Sequence, residues 1–169
     1  GLNKRIEWLL VDICESFIVI ASFVLGWLYQ LNNKYIIGLN DVLSDRLKYI
    51  AQTMSTYNIK LWGQYIEEHG NGGSIIAKDN YFFIDNSFVR CMYEYGAIVF
   101  VLVIVLIFMA QKKMLDNEKY IMCLAFFIVT IASFAEHHLL EIAYNPFIFS
   151  VFACMSNNDK VIMEEKRIC

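Results

Sequence analysis

The apolar residues of this chain are gathered into blocks, and the blocks approach the length that crosses a lipid bilayer. The first is Trp8–Tyr29, whose stretch from Phe17 onward carries no charge. The second covers about Phe88–Ala110, with Ala97–Ala110 wholly apolar, and the third covers Tyr120–Ala135. A fourth, about Leu139–Cys154, is interrupted by Glu141, Asn145 and Pro146. A helical span takes about 20 residues, within roughly 17–25. The fourth block therefore reads as a short tilted span or a re-entrant segment. The chain is 58% hydrophobic, against roughly 45–50% for a soluble domain, and the excess sits in these blocks. The expected fold is all-α: a multi-pass helical membrane protein with one large, partly helical loop, residues 30–87, held outside the bilayer.

Charge excludes one class of partner. Fourteen basic and seventeen acidic residues give a net −3, and no basic patch with interleaved aromatics appears, so nucleic acid is not expected. The five cysteines (Cys14, Cys91, Cys123, Cys154 and Cys169) have no CxxC spacing and read as buried thiols. Lys4 and Arg5 precede the first block, but it is long and lacks a small-residue cleavage site, so it does not read as a signal peptide. The chain opens on Gly1 and reads as the C-terminal part of a longer protein, inactive alone, with further spans expected before it.

Basic residues near span ends mark the cytoplasmic side. Lys4 and Arg5 lie before the first span, Lys112, Lys113 and Lys119 between the second and third, and Lys160, Lys166 and Arg167 after the fourth. Four spans put all of them on one side, with residues 155–169 as a cytoplasmic tail. The large loop and the Glu136-His137-His138 turn then face the other side.

Within the loop, Leu43, Leu47, Ile50 and Met54 recur at helical spacing, with Asn40 or Asp41 able to cap the start. Arg46 falls on the flank of that stripe and Lys48 well away from it. Tyr57, Trp62 and Tyr65 suit a helix lying in the membrane interface. His69–Ser74 reads as a flexible turn and lacks the ending of a phosphate-binding loop. Asp85-Asn86-Ser87 suits a helix cap. Arg90 and Glu94 form an i,i+4 ion pair or mark a functional face. His137 and Glu141 also stand at i,i+4, but the sequence offers no third ligand nearby, so no metal site is expected. Asp12 and Glu15 line a bundle interior or sit at headgroup level.

Leu39-Asn40-Asp41-Val42-Leu43-Ser44-Asp45-Arg46 enters the loop, Gly63 lies within it, and Asp85-Asn86-Ser87-Phe88 closes it before Tyr95-Gly96. With Glu136 and Asn145 further on, this order resembles the C-terminal half of bacterial oligosaccharide repeat-unit polymerases (Wzy-type, akin to the O-antigen ligases), over most of residues 1–155. The residue before the arginine, often Gly in that family, is Asp45 here.

The resemblance implies a bacterial cytoplasmic (inner) membrane glycosyltransferase with its large loop outside. The reaction would move a growing O-antigen, capsule or exopolysaccharide chain from undecaprenyl diphosphate to an incoming lipid-linked repeat unit. It implies no metal and no nucleotide sugar, so no cofactor, and partners that include a flippase and a chain-length regulator. An arginine fork suits the diphosphate, which makes Arg46 the first substrate-binding candidate, with Asn40, Asn86, Arg90 and His137 beside it. Asp85 is the first candidate for the base that takes the acceptor hydroxyl proton, with Glu136 or His137 next. An O-antigen ligase is the alternative, although such enzymes use a loop histidine and this loop offers only His69. A transporter or flippase is the rival of another class, but it would show internal repeats and broken helices.

Overall fold

The computed structural model describes residues 4–69 and 81–141. They form α1 (Lys4–Gln30), α2 (Lys34–Val42), α3 (Arg46–Thr56), α4 (Ser87–Arg90), a π turn (Cys91–Tyr95), α5 (Ala97–Asp116), α6 (Tyr120–Ala132) and a 3-10 turn (His138–Leu140). Among these residues there is no strand, only an isolated antiparallel bridge between His69 and Phe82. The expected Gly70–Ser74 turn, most of the fourth block with Asn145, and the basic tail lie outside the described residues.

Three apolar helices, two of them long, make the body. α1 and α5 run antiparallel: Phe23 meets Phe100 edge to face at 5.8 Å, and further along Glu15 accepts a hydrogen bond from Gln111. Gln111 also accepts from Cys123 Sγ at 3.0 Å, which ties α6 into the same seam. Trp8–Gln30 and Ala97–Asp116 are long and apolar enough to cross a membrane, with mean hydropathies of 2.1 and 2.3. Only 17% and 33% of their most apolar windows are buried inside the molecule. A core helix of a soluble domain would hide most of that surface. Here Leu9, Ile13, Phe17, Ile20, Val24 and Trp27 remain exposed along α1. α6, at 13 residues, reaches about 20 Å at 1.5 Å per residue, short of a bilayer core of about 30 Å.

The second apolar helix starts at Ala97, not at Phe88. Gly96 adopts φ +97°, outside the helical region, and separates α5 from α4 and its π turn. In front of it, residues 57–65 form an irregular strap rather than the expected interfacial helix. The strap replaces a cap. Ala97 N–H donates to Lys60 O (3.0 Å) and Ile98 N–H to Leu61 O (3.3 Å), satisfying amides at the start of α5 that have no partner within the helix. Trp62 and Tyr65 stand 85% and 87% exposed on the strap, at the end of an apolar helix. The strap passes so close at Gly63, also at positive φ, that a Cβ on Gly96 would overlap the backbone of Gly63 and Leu61, and one on Gly63 the backbone of Glu94 and Tyr95. Gly96→Ala is expected to cost about 2 kcal/mol through the positive φ. The strap should open before the bundle melts, so hydrogen exchange at the Ala97 and Ile98 amides accelerates while that of α1 does not.

The loop's helical stripe begins earlier than expected and breaks. Asn33 caps α2 by accepting from Tyr35 N–H at 3.0 Å. The chain then turns at Ser44 and Asp45, both at positive φ, before α3. Leu47 and Ile50 of the stripe are buried. α3 lies across α1 at Gly26, where any Cβ would overlap the Ile50 side chain. Gln30 Nε2 donates to Ala51 O at 2.8 Å and fixes that crossing.

Candidate functional site

The end of the bundle that joins the start of α5 to the ends of α1 and α6 carries the polar cluster. Asn86 builds it. Its Oδ1 caps α4, accepting from Phe88 N–H (3.0 Å) and Val89 N–H (2.9 Å). Its Nδ2 donates to Ser22 Oγ (3.0 Å) on α1 and Phe134 O (2.8 Å) beyond α6. Ser87 adds N–H to Ser133 O at 2.9 Å, donates its hydroxyl to Glu136 O and accepts from Leu139 N–H at 3.2 Å. These bonds stitch the Asp85 turn to the Glu136-His137 turn.

Arg46 is delivered from the other side. Asn40 is 2% exposed and does cap a helix, but not one that it begins. Its Oδ1 accepts from Lys48 N–H (3.0 Å) in the first turn of α3, and its Nδ2 donates to Asp45 (2.8 Å). Asn40 thus positions the α3 start, and Arg46 reaches across. Arg46 Nε lies 3.5 Å from Asp85 Oδ2 and Nη2 lies 3.1 Å from Glu136 Oε1. Both partners are distant along the chain, whereas Asp41 and Asp45 are the carboxylates nearest to Arg46 in the sequence.

His137 stands beside this group, its Nδ1 4.0 Å from Asp85 Oδ1. Its ring meets Phe83 edge-on at 4.9 Å, and Arg90 lies 4.8 Å over Phe83 from its own side. Arg90 pairs with Glu94 at 3.4 Å, as its spacing suggested, and more closely with Glu68 at 2.5 Å. Its Nε also donates to Ile84 O at 3.0 Å, and Glu68 accepts from Ile84 N–H at 2.9 Å. Arg90 is therefore a tie between the two described ends of the loop. Glu68 and Phe83 carried no signal in the sequence, because each earns its place through contacts distant along the chain.

Electrostatics separates the groups. Burial raises the Asp85 carboxyl above its usual range; the Arg46 guanidinium pulls it back, Glu136 pushes it further up and His137 opposes that. A carboxylate so raised is a better proton acceptor. Burial lowers His137, with His138 and Arg90 adding to the effect and Glu141 and Asp85 opposing it. Beside these groups a groove opens between Val129, Ala132, Ser133, Glu136, His138 and Leu139. The cluster thus holds a half-buried guanidinium between two carboxylates, next to an imidazole and an apolar groove.

Comparisons with protein-family models, with curated proteins and with solved structures find no match.

Proposed function

We propose that the chain belongs to a membrane-embedded polymerase that transfers a growing glycan from undecaprenyl diphosphate to the sugar of an incoming lipid-linked repeat unit. The observation that carries this reading is Arg46 held between Asp85 and Glu136 at one end of an apolar bundle. The exposed apolar faces of α1 and α5 suit lipid contact, and Lys112, Lys113 and Lys119 lie at the opposite end of α5 from the cluster. By the charge rule that opposite end is cytoplasmic and the cluster faces outward, the leaflet where the lipid-linked substrate would lie.

The chemistry follows from these groups. The acceptor hydroxyl gives its proton to Asp85 as its oxygen bonds to the anomeric carbon. The bond from that carbon to the diphosphate oxygen breaks, and undecaprenyl diphosphate leaves with the electron pair. Arg46 stabilises the charge that grows on the leaving diphosphate, and Glu136 holds the guanidinium in place. Asn40 and Asn86 act as positioning residues.

Binding tests the diphosphate role directly. In lipid nanodiscs, Arg46→Ala is expected to weaken binding of undecaprenyl diphosphate by about tenfold or more, the scale of one charge-assisted contact. Arg46→Lys should recover little of it, because an ammonium lacks the fork. Native mass spectrometry reads both. Equal binding by all three proteins would remove Arg46 from the site.

A further inference from the structure

The residues that follow α6 gather metal-ligating groups of which the proposed reaction uses only Glu136. The 3-10 turn brings Glu141 against two imidazoles: its Oε1 lies 3.5 Å from His137 Nε2 and its Oε2 lies 3.1 Å from His138 Nδ1. Glu136, His137 and His138 each bring a ligand atom within 4.8 Å of the others, and the two rings lie 3.9 Å apart. Donor atoms around a tetrahedral ion with bonds of about 2.0–2.2 Å stand about 3.3–3.6 Å apart. One Glu141 separation, 3.5 Å, falls within that spacing, and the other, 3.1 Å, lies just below it. In the sequence, His137 and Glu141 are a pair without a third ligand. In the fold, Glu136 and His138 join His137 in one cluster, and Glu141 stands against both rings.

The surroundings suit a cation. Asp85, Glu136 and Glu141 bring three carboxylates to this turn, and Arg46 pairs with the first two. Arg46 holds Glu136 through Oε1, which leaves Oε2 outside that pair. Asp85 lies 4.0 Å from Nδ1 of His137, the ring nitrogen opposite the one facing Glu141. Ligating imidazoles commonly donate their second ring nitrogen to a carboxylate, and Asp85 is the carboxylate on that side, although at 4.0 Å Nδ1 makes no hydrogen bond to it.

We propose that His137, His138, Glu141 and Glu136 form a binding site for zinc, a divalent ion suited to mixed imidazole and carboxylate ligands. The site lies beside Arg46 and shares Glu136 with it. A bound zinc would add a second positive group at the cluster, next to the arginine.

The full chain, purified in detergent and stripped of metal with a chelator, tests this by calorimetric titration with zinc chloride. Uptake of about one zinc per chain is expected, and cobalt in its place should show the visible absorption of a tetrahedral site. His138→Ala and Glu141→Gln should each weaken zinc by about a hundredfold. His69→Ala, whose imidazole lies 3.8 Å from Glu67 instead, should leave it unchanged. Glu141 is 46% exposed, so its substitution spares the fold, and an unaltered melting curve confirms that. No uptake, or uptake that survives both His138→Ala and Glu141→Gln, overturns the site. The readout is metal binding, so its outcome is separate from whether the chain polymerises glycan.

Discussion

Asn86→Ala is expected to destabilise the protein by about 3 kcal/mol. Loss of a helix cap costs about 0.5–2 kcal/mol, and leaving a buried hydrogen-bonding group without its partner costs about 1–3 kcal/mol. Asn86 does both jobs while 1% exposed: it caps α4 and donates to Ser22 and to Phe134 O. Without it, the Asp85 turn loses a principal tie to α1 and to the end of α6. Asn86→Asp keeps the cap acceptor and loses the two donated bonds, so its loss should also be large. Thermal unfolding in detergent measures both. A variant that melts like the unsubstituted protein yet loses activity would return Asn86 to the substrate-binding role that the sequence suggested.

The difference between those two roles shows where the sequence stops speaking. α1 and α5 were legible because an apolar run of span length leaves few alternatives. The break at Gly96 was harder to place. The residue sits inside an apolar run, and its positive φ is demanded by the strap that crosses at Gly63. The interfacial helix through Tyr57, Trp62 and Tyr65 was read from aromatic content. Aromatic content marks a surface but does not set a backbone, and the strap's carbonyls are spent on the first amides of α5. α2 escaped notice because Gly38 dilutes a short pattern.

The candidate site was legible residue by residue but not as an arrangement. Arg46, Asp85, Glu136 and His137 were each singled out, and the fold brings them together. What pairs with Arg46 was not readable, because Glu136 lies 90 residues away and one sequence carries no record of distant contacts. Asn40 and Asn86 drew attention as polar residues near motifs. Their burial and partners make them the scaffold on which the charged groups stand.

Glycan length in cells carrying Arg46→Ala in the native gene is the most direct test of the account. One well-placed group facing developing charge is worth about 100–1,000-fold in rate, enough to collapse a long-chain ladder. Arg46 is 31% exposed, so its truncation should leave protein levels near normal, which immunoblotting checks. The expected result is envelope glycan reduced to single repeat units on a gel, with Arg46→Lys giving the same collapse. A ladder of ordinary length from the Arg46→Ala strain would contradict the proposal that this guanidinium serves a lipid-linked glycan.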